Sequence, residues 1–380
     1  MPTLSLRQLN RATLARQGLL TPLPDVPVAR LVERVGGLQA QHPDWPPLAL
    51  QTRLGPAHGP VDLGRARART SVVRASLMRL TVHVVSAADF WPMSTLTLPF
   101  RGTQFRAIFK LDPVTSPLGR RITAAHPAAL AALRQDPLAI HEIEAILRDQ
   151  LRGVPIPPNR ALWRHFTSAV PLVQVPFDGE TYGRARYAVA ADWLRPPTVA
   201  ESDPDQAAAH LAARYLAAFG PATADDLAAF VGRGRDPRRW RAAIAALGPR
   251  LVEIESEDGR RLFDLADAPR PAADTPAPPR LLARWDSLLL AYGTRDRARV
   301  LPPRHQATVI TRNADVLPTF LVDGFVAGTW LPRSWPDGPR AELRPFGRLA
   351  RADRQALEAE VERLLPLLGP GAFSRYPGTD

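Results

Sequence analysis

The stretch from Phe219 to Leu265, FGPATADDLAAFVGRGRDPRRWRAAIAALGPRLVEIESEDGRRLFDL, decides the fold class. It follows a run from Asp205 with apolar residues at helical spacing (Ala208, Leu211, Tyr215, Leu216, Phe219), which Gly220-Pro221 stops. Thr223 then stands as the N-cap of a second helix. Asp226, three residues on, occupies the acidic position of a capping box, and Gly232 ends the helix. Asp236-Pro237 opens a third helix, with proline at the first helical position and Trp240, Ile244 and Leu247 on one face. Two short apolar runs follow, Leu251 to Ile254 and Arg261 to Leu265, joined at Asp258-Gly259 by hairpin turn chemistry. Helix, helix, helix, hairpin is the order of a winged helix-turn-helix. Its third helix begins DPRRWR, which puts Arg238, Arg239 and Arg241 where a recognition helix meets DNA.

The same order repeats upstream in pattern, without a fixed sequence period. Helices are predicted at Ala139 to Leu151 and Asn159 to Ser168, with a hairpin from Pro171 to Val175 and Arg186 to Val189. A further copy spans Ser5 to Gln17, Val26 to Leu38, Leu63 to Ala68 and the strand pair Val72 to Leu77 and Leu80 to Val85. The run APRPAADTPAPPR, Ala268 to Arg280, reads as an extended linker. Beyond it, Asp323-Gly324 joins two apolar runs as a hairpin, and Leu349 to Leu368 closes the chain with an amphipathic helix. The expectation is therefore an α+β chain of about three tandem winged-helix domains (1–95, 96–200 and 201–270) followed by a β-barrel-like domain over 281–380.

Bulk chemistry narrows the partners. The 380 residues carry 49 Lys plus Arg against 37 Asp plus Glu, a net charge of +12, and all but Lys110 of the basic residues are arginine. Arginine forks phosphate bidentately and lies flat on bases, so the excess suits nucleic acid. The absence of cysteine excludes disulfides, thiolate metal sites and cysteine nucleophiles. No secretory signal and no membrane-length apolar run is visible, which leads to the expectation of a cytoplasmic, nucleoid-associated protein with no membrane partner. No dimerisation heptad is present either, so a monomer is expected.

One motif stands out for chemistry: Gly36-Gly37-Leu38-Gln39-Ala40-Gln41-His42-Pro43. The preceding helix must end near its glycines and proline. Residues two apart diverge on a helix but share a face of an extended chain. Gln39 and Gln41 then project together, able to hold a water or line an uncharged polar pocket. By residue chemistry alone the same pair also reads, and reads first, as a helix end in solvent. The histidines do not pair with carboxylates at metal spacing. His83, between Val82 and Val84, reads as a satisfied strand residue. No metal and no cofactor is expected, and Lys110 is too isolated to form a Schiff base. Asp44, Asp286, Asp323 and Glu342 are available carboxylates that spacing does not single out.

Taken in order, several segments resemble the AlkZ/YcaQ family of winged-helix DNA glycosylases. They are Gly37-Leu38-Gln39-Ala40-Gln41, which is similar to the family's paired-glutamine motif, and Leu77 to His83, where the family usually has Gly at the place of Leu80. Pro171 to Pro176, Phe219 to Thr223 with Asp226-Leu227, and Val322-Asp323-Gly324 to Trp330 complete the set. Tyr182 and Phe230 depart from the family, standing where tryptophan is usual. The resemblance implies three winged helices and a C-terminal β-barrel curved around duplex DNA. Gln39 and Gln41 would be the catalytic pair on the concave surface, with Arg79 and His83 among the DNA-binding residues.

The activity so implied is hydrolysis of the N-glycosidic bond of N7-alkylguanine in double-stranded DNA containing alkylated purines, with unhooking of interstrand cross-links in some members. Without a lysine nucleophile it would be monofunctional. A cross-linked base cannot turn freely out of the duplex, which favours an open concave site. The competing reading is a winged-helix transcription regulator without chemistry, which would prefer one DNA sequence by roughly 10³ or more.

Overall fold

The computed structural model describes residues 2–178, 180, 183–232, 236–335 and 338–368, with the side chains of 334–335 and 338–339 left aside; Tyr182 lies outside the described residues. The fold is mixed α+β. Twelve strands are described: β1 (Thr3–Leu4), β2 (Leu38–Gln39), β3 (Val72–Ser76), β4 (Val82–Ser86), β5 (Leu172–Val175), β6 (Arg186–Val189), β7 (Leu251–Ser256), β8 (Arg261–Leu265), β9 (Arg280–Leu282), β10 (Thr319–Val322), β11 (Phe325–Trp335) and β12 (Gly338–Pro345).

The segment whose caps and turns are clearest in the sequence folds as they dictate. Helices run over Pro204–Phe219, Ala224–Val231 and Pro237–Ala245. Thr223 Oγ accepts from the Asp226 backbone N–H at 3.1 Å, and Asp226 Oδ2 accepts from the Thr223 N–H at 3.1 Å, which closes the capping box. Asp236 caps the third helix through the N–H groups of Arg238 and Arg239. β7 and β8 pair antiparallel. β1, from the other end of the described chain, adds to β7 in parallel, and Leu4, Leu9, Ile254 and Leu262 share a small core there.

The two upstream hairpins do not remain separate wings. β3–β4 and β5–β6 join edge to edge through Arg74 opposite Gln174, and β2 pairs with β4, which gives one five-stranded sheet in the order β2-β4-β3-β5-β6. A 23-residue helix, Ala87–Phe109, leaves this sheet with Ser86 as its N-cap and carries Pro92 and Pro99 inside it. A 19-residue helix, Pro117–Gln135, follows. Proline inside a helix forfeits a backbone hydrogen bond, and Pro92 and Pro99 in the first helix, with Pro127 in the second, masked both in the sequence.

The C-terminal part corrects the expected barrel. Its sheet is open and four-stranded, in the order β12-β11-β10-β9, and among the described residues it does not close. Four strands are too few to curl back on themselves. One face instead packs on the helix Arg351–Leu364 and on the first part of the chain. Leu281, Phe320, Trp330, Leu357 and Leu364 share one apolar core with Leu14, Leu31, Leu38, Leu48 and Val84. Arg53 and Asp286, both fully buried, cross the same boundary with contacts of 2.7 and 3.0 Å. The Pro/Ala-rich run before β9 does not hang free: Ala273 and Thr275 offer their carbonyls to Arg7 and Arg11.

Candidate active site around Gln39 and Gln41

The motif is delivered by a sharp reversal. The helix Val28–Arg34 ends, and Gly36 and Gly37 follow with φ of 77° and 82°, the left-handed region that glycine enters without steric cost. Gly36 also has no room for a side chain, since a Cβ there would lie 2.5 Å from the Phe219 ring. Ser287 Oγ donates to the Gly37 carbonyl at 2.6 Å, so the C-terminal part of the chain anchors the turn. The chain then extends as β2, with Gln39 opposite His83. Ala40 N–H donates to the Val82 carbonyl at 2.7 Å, and Val82 N–H donates to Gln41 Oε1 at 3.3 Å.

Gln39, Arg79 and His83 are brought together. Gln39 is 9% exposed, and its Oε1 accepts from Arg79 Nη2 at 3.1 Å. The same nitrogen lies 3.2 Å from His83 Nε2, while Arg79 Nη1 donates to the Phe230 carbonyl. The guanidinium also sits 5.3 Å from the centre of the Phe230 ring. This is the position at which the resemblance led to an expectation of tryptophan, and phenylalanine supplies an aromatic face there. Arg79 and Leu80 both have left-handed φ, 53° and 57°, which accounts for glycine at the place of Leu80 in the family.

The electrostatics keep the cluster fixed in charge. Burial, then the charge of Arg79, lowers the His83 imidazole to about 3. The ring is therefore neutral at ordinary pH, with Nδ1–H donating to the Thr81 carbonyl at 2.9 Å and Nε2 accepting from Arg79. His83 is only 1% exposed, a satisfied strand residue placed inside the site and not on its surface. Burial, then the charge of Arg297, brings Arg79 down to about 10, so it stays cationic.

A second group, not singled out from the sequence, supports the motif from the neighbouring strand. Arg74, 4% exposed, donates through Nε and Nη2 to the Ala40 carbonyl and through Nη1 to Glu180 at 2.6 Å. Arg67 holds the same carboxylate at 2.6 Å. Arg74, Gln174 and Tyr187 stand in one cross-strand row and, with Gln41, line a cleft of about 490 Å³. The sequence signal for these residues was a polar side chain inside an otherwise apolar strand, Arg74 in VVRAS and Gln174 in LVQV.

The remaining candidates lie elsewhere. Arg238, Arg239 and Arg241 are exposed on the helix Pro237–Ala245, Arg239 is 3.5 Å from Asp205, and among the described residues no hydrogen bond or ion pair links them to Gln39, Gln41, Arg79 or His83. Asp286, Asp323 and Glu342 are each held by arginine. Asp44 lies 3.3 Å from His42, and burial raises its carboxyl above the usual range. Lys110 is exposed at the end of the helix Ala87–Phe109. Among the described residues no cluster of three or more His, Cys, Asp or Glu is arranged to hold a metal ion, and no helix is long and apolar enough to cross a membrane.

This α+β chain is a DNA glycosylase by family: the model described as DNA glycosylase AlkZ-like matches residues 32–367, and the chain is a member of that family. Its similarity extends to the interstrand DNA cross-link repair glycosylase of Streptomyces sahachiroi, 34% identical over 143 residues, 37% of each protein. The aligned part thus spans little more than a third of that relative's length. The solved structure of Streptomyces sahachiroi DNA glycosylase AlkZ shares the fold, with a TM-score of 0.76 over 99% of both chains at 23% identity.

Proposed function

We infer that this protein is a monofunctional DNA glycosylase that hydrolyses the N-glycosidic bond of N7-alkylguanine in duplex DNA, with Gln39 and Gln41 as its catalytic pair. The observation that carries this reading is the anchoring of both amides to one short segment, Gln39 through Arg79 and Gln41 through the Val82 N–H. Each amide oxygen has two lone pairs. One is used in that anchoring, which leaves the other to orient a water and to face developing positive charge on the sugar.

The chemistry needs no stronger group. An N7-alkylated guanine is cationic before the reaction. It leaves with the bonding pair of the C1′–N9 bond and becomes neutral, so no acid has to protonate it. Water adds its oxygen to C1′ and gives its proton to solvent. The amides contribute by holding the water in line and by stabilising an oxocarbenium-like transition state with preorganised dipoles. A pair this weakly basic leaves uncharged, unmodified purines intact. Lys110 is the one lysine of the sequence and lies exposed at the end of the helix Ala87–Phe109, which supports hydrolysis that leaves an intact abasic site. The name of the Streptomyces relative supports extending the substrate range to interstrand cross-links, and family membership favours the enzyme over a sequence-specific regulator.

The test is to incubate a duplex carrying one N7-methylguanine with wild type, Gln39→Ala and Gln41→Ala, and to cleave abasic products with alkali. Wild type should yield product, with each variant slower by about 10²–10³-fold, the range for removing a preorganised polar group. No product with wild type, or equal rates for all three, overturns the reading.

A further inference from the structure

The cleft beside Gln41 contains an anomaly. Gln174 is 7% exposed, and its Nε2 donates to the Tyr187 hydroxyl at 3.2 Å, yet its Oε1 has no hydrogen-bond partner among the described residues. Buried polar atoms are nearly always satisfied, and an unpaired one calls for an explanation such as a ligand or a water. The cleft, about 490 Å³, falls within the range of small-molecule sites, about 300–1,000 Å³. Phe177 offers it an aromatic wall. Gln41, whose Oε1 accepts from Val82 N–H, lines the same space, and among the described residues its amide N–H₂ has no partner.

An acceptor at Gln174 and a donor at Gln41 match a cyclic lactam, in which a ring N–H lies next to a carbonyl. We propose that this cleft binds the guanine base of the lesion by its Watson–Crick edge, with Gln174 Oε1 accepting from N1–H and the Gln41 amide donating to O6. The identity of the base rests on the glycosylase reading; the complementarity of the cleft does not. Adenine presents the reverse pattern, an N–H₂ at position 6 and an acceptor at N1, so it leaves Gln174 unpaired and sets donor against donor at Gln41. The pocket therefore reads guanine against adenine where the amide chemistry at C1′ reads only positive charge. A monoadducted base can turn into the cleft, whereas one still joined to the opposite strand cannot.

The test measures binding without turnover. Wild type is titrated calorimetrically with free 7-methylguanine and, separately, free 7-methyladenine, and the titrations are repeated with Gln174→Leu and Gln174→Glu after thermal melting shows that each is folded. 7-Methylguanine should bind wild type about tenfold or more tightly than 7-methyladenine, the discrimination expected of a bidentate base contact. Gln174→Leu should lose that preference, and Gln174→Glu, which keeps an acceptor, should retain it. Equal affinities in wild type, no binding of either base, or a preference that survives Gln174→Leu overturns the proposal. If 7-methylguanine binds selectively while the methylated duplex yields no abasic product, the glycosylase reading falls and the lactam site stands.

Discussion

Arg74 holds the carbonyl oxygen of Ala40, the residue between the two glutamines, with Nε at 3.2 Å and Nη2 at 2.9 Å. Its remaining arm is fixed by Glu180, and Arg67 braces that carboxylate in turn. The peptide linking Gln39 to Gln41 is thus pinned by a charged fork from β3. On the proposed reading Arg74 is a positioning residue, acting through the angle at which both amides leave the backbone.

That role predicts a specific kinetic signature. Arg74→Met should lower kcat for N7-methylguanine release by about 10- to 100-fold, because small misplacements of catalytic groups carry costs of this size. KM for the duplex should change little, since Arg74 is 4% exposed and its guanidinium is already engaged by Ala40 and Glu180. A rise in KM with kcat preserved would show instead that Arg74 acts through DNA binding.

The pH dependence follows from the three side chains brought together at Gln39: an amide, an arginine that stays cationic and a neutral imidazole. His83, brought to about 3, is neutral well above that value, and both proposed catalytic side chains are amides. The rate of base release should be flat from about pH 5 to 9. A limb near the ordinary imidazole value of about 6.5 would show that His83 titrates in the free enzyme. Stability should behave differently. A depressed imidazole stabilises the fold fully above its unfolded value, and that contribution is lost as pH falls from about 6.5 toward 3. His83→Asn should remove this part of the acid limb in denaturation curves measured across that range.

The exposed arginines of the helix Pro237–Ala245 should report on phosphate binding. Replacing Arg238, Arg239 and Arg241 together with alanine is expected to weaken binding to undamaged duplex of any sequence. It should also reduce the slope of log K against log salt by up to about 3, one for each phosphate that an arginine no longer neutralises. The melting temperature should stay near wild type, because these side chains bury little. An unchanged salt slope would remove this helix from the DNA interface.

The buried pair Arg53 and Asp286 ties the first part of the chain to the last. Asp286→Ala leaves the guanidinium buried with the Gln17 side-chain oxygen and the Ala49 carbonyl as its remaining partners, and should cost about 3–5 kcal/mol in urea denaturation. The double replacement Arg53→Met/Asp286→Leu should cost less than Asp286→Ala, because it buries no unpaired charge. Equal or greater loss in the double variant would mean that the pair stabilises beyond its own desolvation.

The local grammar of the chain was legible. The caps at Thr223 and Asp236, the stop at Gly232 and the hairpin at Asp258-Gly259 each act within a few residues, and the structure places helices and strands where they point. So it was with the reversal at Gly36-Gly37 that turns Gln39 and Gln41 out of a helix. The helix Ala87–Phe109 was not legible, because Pro92 and Pro99 signal breaks that the surrounding core overrides.

What the sequence determined by itself, then, was the kind of each short element, the exit of the glutamine pair into extended chain and the arginine excess, because each depends on neighbours along the chain. Only the tertiary structure decided what those glutamines touch. Arg79 is 40 residues from Gln39, Arg74 reaches back 34 residues to Ala40, Glu180 lies 106 residues from Arg74, and Ser287 meets Gly37 across 250. These contacts follow from one sheet built out of two hairpins and one core built from both ends of the chain. Such pairings are set by the burial of apolar faces against each other, which no local pattern of residues specifies.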